Sequence, residues 1–286
     1  MEVILRKCGN STVIVLCALA ITLAGCASKP IGVVAEAQGS GATHLAQQLA
    51  RLDTPADAGP RTIFIGAALN GREDVFDRDI RAFDRNLAHT FGPRYRVILL
   101  SNLRVAASPR TLPLATIEHL DEVFDTLERQ RRPDDRYIVL LTTHGRKGVL
   151  EVEQAALWRS SKWLVSAKLG HWARQLAPQP TLWVVSACFS GSHLPALRQD
   201  HLLVMTASNA DKPSFGCNDK EENTWFVREL LAAHQAAPDQ PLLGLWQRTL
   251  AGVTAAERRL ALDPSYPQIQ IGQQLSPHVQ QPLRDF

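Results

Sequence analysis

Cysteine is scarce where a stapled fold would need it. Five cysteines occur in 286 residues, and three of them, Cys8, Cys17 and Cys26, fall within the first 26 positions. Only Cys188 and Cys217 remain for the rest of the chain. Two thiols make no disulfide framework, and no Cys-x-x-Cys pair is present to seed a zinc site. An excess of one charge is lacking too. The net charge is +3, and it falls to +2 once Glu2, Arg6 and Lys7 are set aside with the first 25 residues. A near-neutral chain has no electrostatic footprint for nucleic acid; Arg129, Arg131, Arg132 and Arg136 read as a solvated helix end. Long apolar runs are missing. Val13 to Leu23 is too short to span a membrane comfortably. Gly39-Ser40-Gly41 is not a phosphate loop, since no Lys-Ser/Thr follows and no strand precedes it. Phe189-Ser190-Gly191 is not a Gly-x-Ser-x-Gly nucleophile elbow. No internal repeat is visible.

What the N-terminal end does have is a leader. Arg6 and Lys7 give a positive n-region and Val13 to Leu23 a short apolar h-region, so residues 1–25 read as a secretory signal peptide. Leu23-Ala24-Gly25-Cys26 resembles the bacterial lipobox, which implies that Cys26 is acylated and becomes the mature N-terminus. Three acyl chains exceed what stable anchorage requires. Ala27, where an Asp would favour inner-membrane retention in enteric bacteria, points to the outer membrane. Residues 26–60 are rich in Ala, Gly and Gln and read as a flexible tether, with a short helix at His44 to Leu52.

From residue 61 to 286 the pattern alternates. Strands are expected at Thr62–Leu69, Tyr95–Leu100, Tyr137–Thr143, Thr181–Ala187, His201–Ala207 and Pro267–Ile271, with a hairpin strand at Gly148–Val152. Helices are expected at Asp74–Phe91, Thr116–Gln130, Ser166–Leu176, Asn223–His234 and Leu242–Leu262. The 74–91 helix places Val75, Phe76, Ile80, Phe83 and Leu87 on one side. Such alternation argues for an α/β fold, a mostly parallel sheet covered by helices on both faces. The 45% hydrophobic content is enough for a sizeable core.

Two of those strands end on reactive side chains. Leu182 to Val185 is a buried run that stops at Cys188, followed by the small-residue turn Ser190-Gly191-Ser192. Tyr137 to Thr143 stops at His144-Gly145. A lone strand-end cysteine is ordinarily a buried structural thiol, and a lone strand-end histidine is as readily a satisfied one. Adjacent parallel strands would bring both to one edge, where open α/β sheets bind ligands. There the imidazole keeps part of the thiol ionised and protonates a leaving amine. The N–H groups of Gly145 and Cys188 are then placed to hold an oxyanion. Cys217 reads as a packed thiol.

Strand-His-Gly followed by strand-Ala-Cys is the arrangement of the caspase-like cysteine peptidases. Leu203 to Cys217, with Thr206-Ala207-Ser208-Asn209 and Ser214-Phe215, then Trp225-Phe226, resembles the legumain-like branch, peptidase family C13, which includes the GPI transamidase subunit. Bacterial C13 proteins are the nearest in kind, sharing Asp74-Val75-Phe76, Ser-Ala-Cys, Ser-Phe-Gly-Cys and a late Pro-Gln-Ile. The likeness runs from about Arg61 to Gly272. It implies a caspase-like three-layer α/β/α sandwich with about six strands. It also implies a cysteine-type endopeptidase acting through a His144/Cys188 dyad and an acyl-enzyme, on protein or peptide substrates, with no metal or organic cofactor. Transamidation uses the same dyad, and a non-catalytic envelope lipoprotein that binds through this fold is the rival; such a protein would be expected to lack the His or the Cys, and both are here. Legumains carry an acid directly after the nucleophile, where this chain has Phe189, so asparagine specificity is not implied. The pocket candidates are Asp74, Ser186, Phe189, Asp211 and Ser214, with Arg72 as a further charge.

Overall fold

The computed structural model describes residues 43–53, 60–103, 112–153 and 161–286. Apolar runs form the sheet: β1 (Thr62–Ala68), β2 (Tyr95–Ser101), β3 (Arg136–Thr142), β7 (Thr181–Ser186), β8 (Leu202–Thr206) and β9 (Gln268–Ile271). Their spatial order is β2-β1-β3-β7-β8-β9. The first five are parallel and β9 runs antiparallel to β8. Three short strands, β4 (Gly145–Arg146), β5 (Val149–Val152) and β6 (Lys162–Val165), make a separate antiparallel sheet beyond the end of β3. Of these, β5 matches the expected hairpin strand, and β4 and β6 were not expected from the sequence.

Side chains alternate along each strand, so one run of residues feeds two cores. Tyr137, Val139 and Leu141 of β3, with Trp183 and Val185 of β7, face α3 (Ile117–Gln130) and α4 (Ser166–Gln175). Phe124 stacks on both Trp172 and Trp183, with centroids 5.0 and 6.0 Å apart. Ile138, Leu140, Leu182 and Val184 face the other way, onto α2 (Val75–Phe91), α5 (Trp225–Ala236) and α6 (Leu242–Arg259). The expected stripe of α2, Val75, Phe76, Ile80, Phe83 and Leu87, is buried there in full. Thr116 begins α3 by accepting the His119 N–H at 3.1 Å. The result is the expected three-layer α/β/α sandwich.

The ordered body starts earlier than residue 61. Residues 43–50 form α1, followed by a turn at Arg51–Asp53. Leu45, Leu49 and Leu52, spaced four and three apart, are buried against the sheet, so this part of the expected tether is docked. The Gln48 carboxamide accepts the Leu99 N–H at 2.8 Å and donates to the Leu99 carbonyl at 3.1 Å, occupying both backbone groups on the edge of β2. The Leu52 carbonyl accepts from buried Arg61, which also forks onto Asp135 at 2.6 and 2.8 Å. The expected signal peptide and Cys26 lie outside the described residues. No helix among the described residues is long and apolar enough to cross a membrane.

Candidate active site

The site grows from the register of β3 and β7. Thr142 pairs with Ser186, and the Thr143 N–H extends the ladder to the Ser186 carbonyl at 3.1 Å. Two residues past that pair stand His144 and Cys188. They therefore lie on the same edge of the sheet, as the paired strand endings require.

Phe189 turns the chain sharply, with φ 58 and ψ 20, left-handed values rare for a side chain of this size. Its N–H is held by the Lys212 carbonyl at 2.9 Å. Ser192 then ties this turn to the β4–β5 turn, donating to the Phe189 carbonyl at 2.6 Å and accepting the Gly148 N–H at 2.9 Å.

Gly145 lies close against the end of β7. A Cβ built there would sit 2.5 Å from the Cys188 carbonyl oxygen and 3.2 Å from the Ala187 Cβ. Gly145 pairs with Leu150, but the ladder bond at that point runs from the Glu151 N–H to the His144 carbonyl. This is the non-hydrogen-bonded register, so the ladder does not consume the Gly145 N–H.

The Cys188 sulfur lies against Ser214. It accepts the Ser214 N–H at 3.4 Å and the Ser214 hydroxyl at 3.8 Å, and its own thiol faces the Ser214 carbonyl at 3.5 Å. The thiol pKa is lowered to about 6, chiefly by a hydrogen bond from Cys217; burial opposes this, and Ser214 and the charge of His144 assist. The Cys217 thiol is pushed up in turn, because its proton is held by Cys188 and because it is buried. Cys217 packs against the α2–α5–α6 core. It is half-buried and free, as is Cys188.

His144 is one third exposed and held on two sides. Its Nε2 is 3.3 Å from the Glu73 carboxylate. The Phe76 ring stands edge-on to it, 5.1 Å between centroids and at 86°. Glu73 was missed by the sequence reading, and an acid in a polar loop before a helix gives no signal by itself.

Beneath both residues lies a polar network. Asp79, fully buried on α2, accepts from Thr142 Oγ1 at 2.8 Å, Thr224 Oγ1 at 2.7 Å, the Thr224 N–H at 2.9 Å and Asn223 at 3.1 Å. Burial raises its pKa to about 7 against the pull of these bonds. Ser186 joins through Thr224 at 2.9 Å.

The other pocket candidates divide. Ser214 touches the nucleophile, and Phe189 shapes the turn beside it. Ser186 is buried in the Asp79 network. Asp74 pairs with Arg78 one turn along α2, at the exposed start of the helix. Asp211 is exposed and pairs with Lys147 at 2.8 Å, bridging two loops beside the site. Arg72 pairs with Glu153. Each of these three charges thus has an ion-pair partner close by.

Residues 125–252 match the model of the Peptidase C13 family. That segment carries His144, Cys188 and Cys217 and resembles a cysteine peptidase domain. Two solved structures are similar in fold. The crystal structure of caspase-1 from Spodoptera frugiperda shares 15% identity at a TM-score of 0.53, covering 77% of this chain and 88% of that one. The structure of pro-sf-caspase-1 shares 15% identity at a TM-score of 0.50, covering 77% of this chain and 93% of that one. At that identity the likeness is one of fold alone. Among curated proteins no match was found.

Proposed function

We propose that this chain is a cysteine-type endopeptidase of the C13 kind, anchored in the bacterial envelope by lipid on Cys26. One observation carries the enzymatic reading: neighbouring parallel strands end on His144 and Cys188, with the Cys188 thiol held at about 6. A thiol of that kind is largely ionised at neutral pH and nucleophilic without further activation. In this reading Cys188 attacks the scissile carbonyl. The N–H groups of Gly145 and Cys188 receive the oxyanion. Glu73 holds His144 in place, and His144 gives its proton to the departing amine. Water then releases the acyl group. The anchor rests on the lipobox sequence Leu23-Ala24-Gly25-Cys26 and on the likeness to bacterial C13 proteins.

A positional-scanning peptide library, applied to the purified full chain, tests the enzymatic reading and returns its specificity. Turnover is expected to vanish in Cys188→Ala and to fall roughly 10²-fold or more in His144→Ala. Hydrolysis unchanged in Cys188→Ala would refute the assignment.

A further inference from the structure

Gly148 is gripped by both of its backbone groups. It sits at the tip of the β4–β5 hairpin with φ +78, the left-handed value that a two-residue turn calls for. Its N–H donates to the Ser192 hydroxyl at 2.9 Å, and that hydroxyl donates on to the Phe189 carbonyl at 2.6 Å. Its carbonyl accepts from the Ser166 N–H and the Ser166 hydroxyl, both at 3.1 Å. The Ser166 hydroxyl in turn lies 2.7 Å from His193 Nδ1. Ser192 and His193 are consecutive, and both belong to the turn Ser190–His193 that follows Cys188. One reaches Gly148 directly and the other through Ser166, the first residue of α4. His193 is fully buried, and its Nε2 has no hydrogen-bond partner among the described residues. The bond to Ser166 therefore carries the whole polar compensation for burying this ring.

The nucleophile turn is also fastened without help from Gly148. The Phe189 N–H is held by the Lys212 carbonyl at 2.9 Å, the Ser190 N–H by the Ser208 hydroxyl at 3.2 Å and the Gly191 N–H by the Ser208 carbonyl at 2.9 Å. The hairpin, for its part, carries the histidine. The Glu151 N–H bonds the His144 carbonyl at 2.9 Å, and the Thr143 hydroxyl bonds the Glu151 carbonyl at 2.7 Å. A fixed turn and a small separate sheet are thus joined through Gly148. We propose that Ser192 and His193 are positioning residues: they clamp Gly148, hold the β4–β5 hairpin against the Cys188 turn, and so fix His144 and the Gly145 N–H relative to the sulfur. The proposal rests on the reading of His144 and Cys188 as a catalytic dyad. Releasing the clamp lets the hairpin drift while Cys188 keeps its contacts with Ser214. A displacement of about 1 Å between reacting groups costs up to roughly 10²-fold in rate.

The test uses the full chain as Ser192→Ala and His193→Leu, with Ser192→Thr and His193→Asn as conservative partners. Threonine keeps the hydroxyl, and the asparagine carboxamide keeps a polar atom in the place of Nδ1. Amide hydrogen exchange in peptides covering residues 144–152, read by mass spectrometry, is expected to speed up roughly tenfold in the first pair and to return toward wild type in the second. On the peptide returned by positional scanning, kcat is expected to fall roughly tenfold or more in the first pair, with KM within about twofold. Iodoacetamide is expected to label Cys188 within about twofold of the wild-type rate. Ser192→Ala removes one half-buried hydroxyl, so it reports even where His193→Leu does not fold. Unchanged exchange at 144–152 in Ser192→Ala overturns the proposal, as does faster exchange with kcat unmoved. Joint loss of kcat and Cys188 labelling overturns it too, because that marks a collapsed site and not a displaced hairpin. The exchange measurement needs no turnover. It therefore decides the clamp even where the Cys188→Ala control refutes the peptidase.

Discussion

Gly145 has no room for even a methyl group. The Cβ of Gly145→Ala would meet a backbone carbonyl, Cys188 O at 2.5 Å, which cannot swing aside as a side chain can. The substitution is expected to cost about 1–3 kcal/mol, as overpacking does, and to lower turnover as well, since the β4 start must move away from Cys188. Thermal melting and initial rates on the same sample check both. Glu73 is expected to act differently. Its carboxylate touches His144 and not the nucleophile, so Glu73→Gln should leave the fold alone. A roughly tenfold fall in kcat with KM held within about twofold marks a positioning role. Equal loss in both Michaelis parameters, or none, argues against it.

At the scale of elements, α2 is pinned to the sheet by Asp79, and the pin is pH-sensitive. Its carboxyl titrates at about 7 in the folded chain against 3.8 as the ordinary value. The folded state therefore binds more protons than the unfolded between those limits. Stability from this group is complete below about pH 4 and is lost as pH rises through 7. His193, lowered to about 4 by burial, works the opposite way between about pH 4 and its ordinary 6.5. The Asp79 share is thus read as the difference between wild type and Asp79→Asn: the variant's melting curve should lack the loss from pH 5 to pH 7.5. An unchanged difference across that range contradicts the assignment. The same elements show what was legible in the sequence. Strands covered on both faces announce themselves as continuous apolar runs, and β1, β3 and β7 fall within two residues of their expected bounds. The reactive endings, His144 and Cys188, follow directly. Asp79 carried a readable signal, an acid lying on the Val75–Ile80–Phe83 stripe, and it went unread. The short helix at His44–Leu52 was legible too, whereas the docking of its Leu45–Leu49–Leu52 stripe was not. Exposed β6 and the contacts of Glu73 and Cys217 depend on how loops fold back in space, which no local pattern encodes.

For the molecule as a whole, the proposed lipidation of Cys26 would decide where the chemistry occurs. Cys26→Ser is expected to release the protein from the membrane fraction and to remove acyl mass from the N-terminus; unchanged fractionation without acyl mass would sink the lipobox reading. The docked helix α1 would give such an anchor a geometry. Leu52 meets Arg61 at the start of β1, whereas Gln48 meets Leu99 in the second half of β2. The helix thus runs counter to the parallel strands, and residue 43 lies toward the edge that bears His144 and Cys188. Cys26 precedes Thr43 by 17 positions, a leash of at most about 60 Å when fully drawn out. Were Cys26 acylated as proposed, the body would work within that radius of the membrane, where peptide bonds in membrane-attached neighbours would fall and bonds in freely diffusing proteins would enter only by encounter.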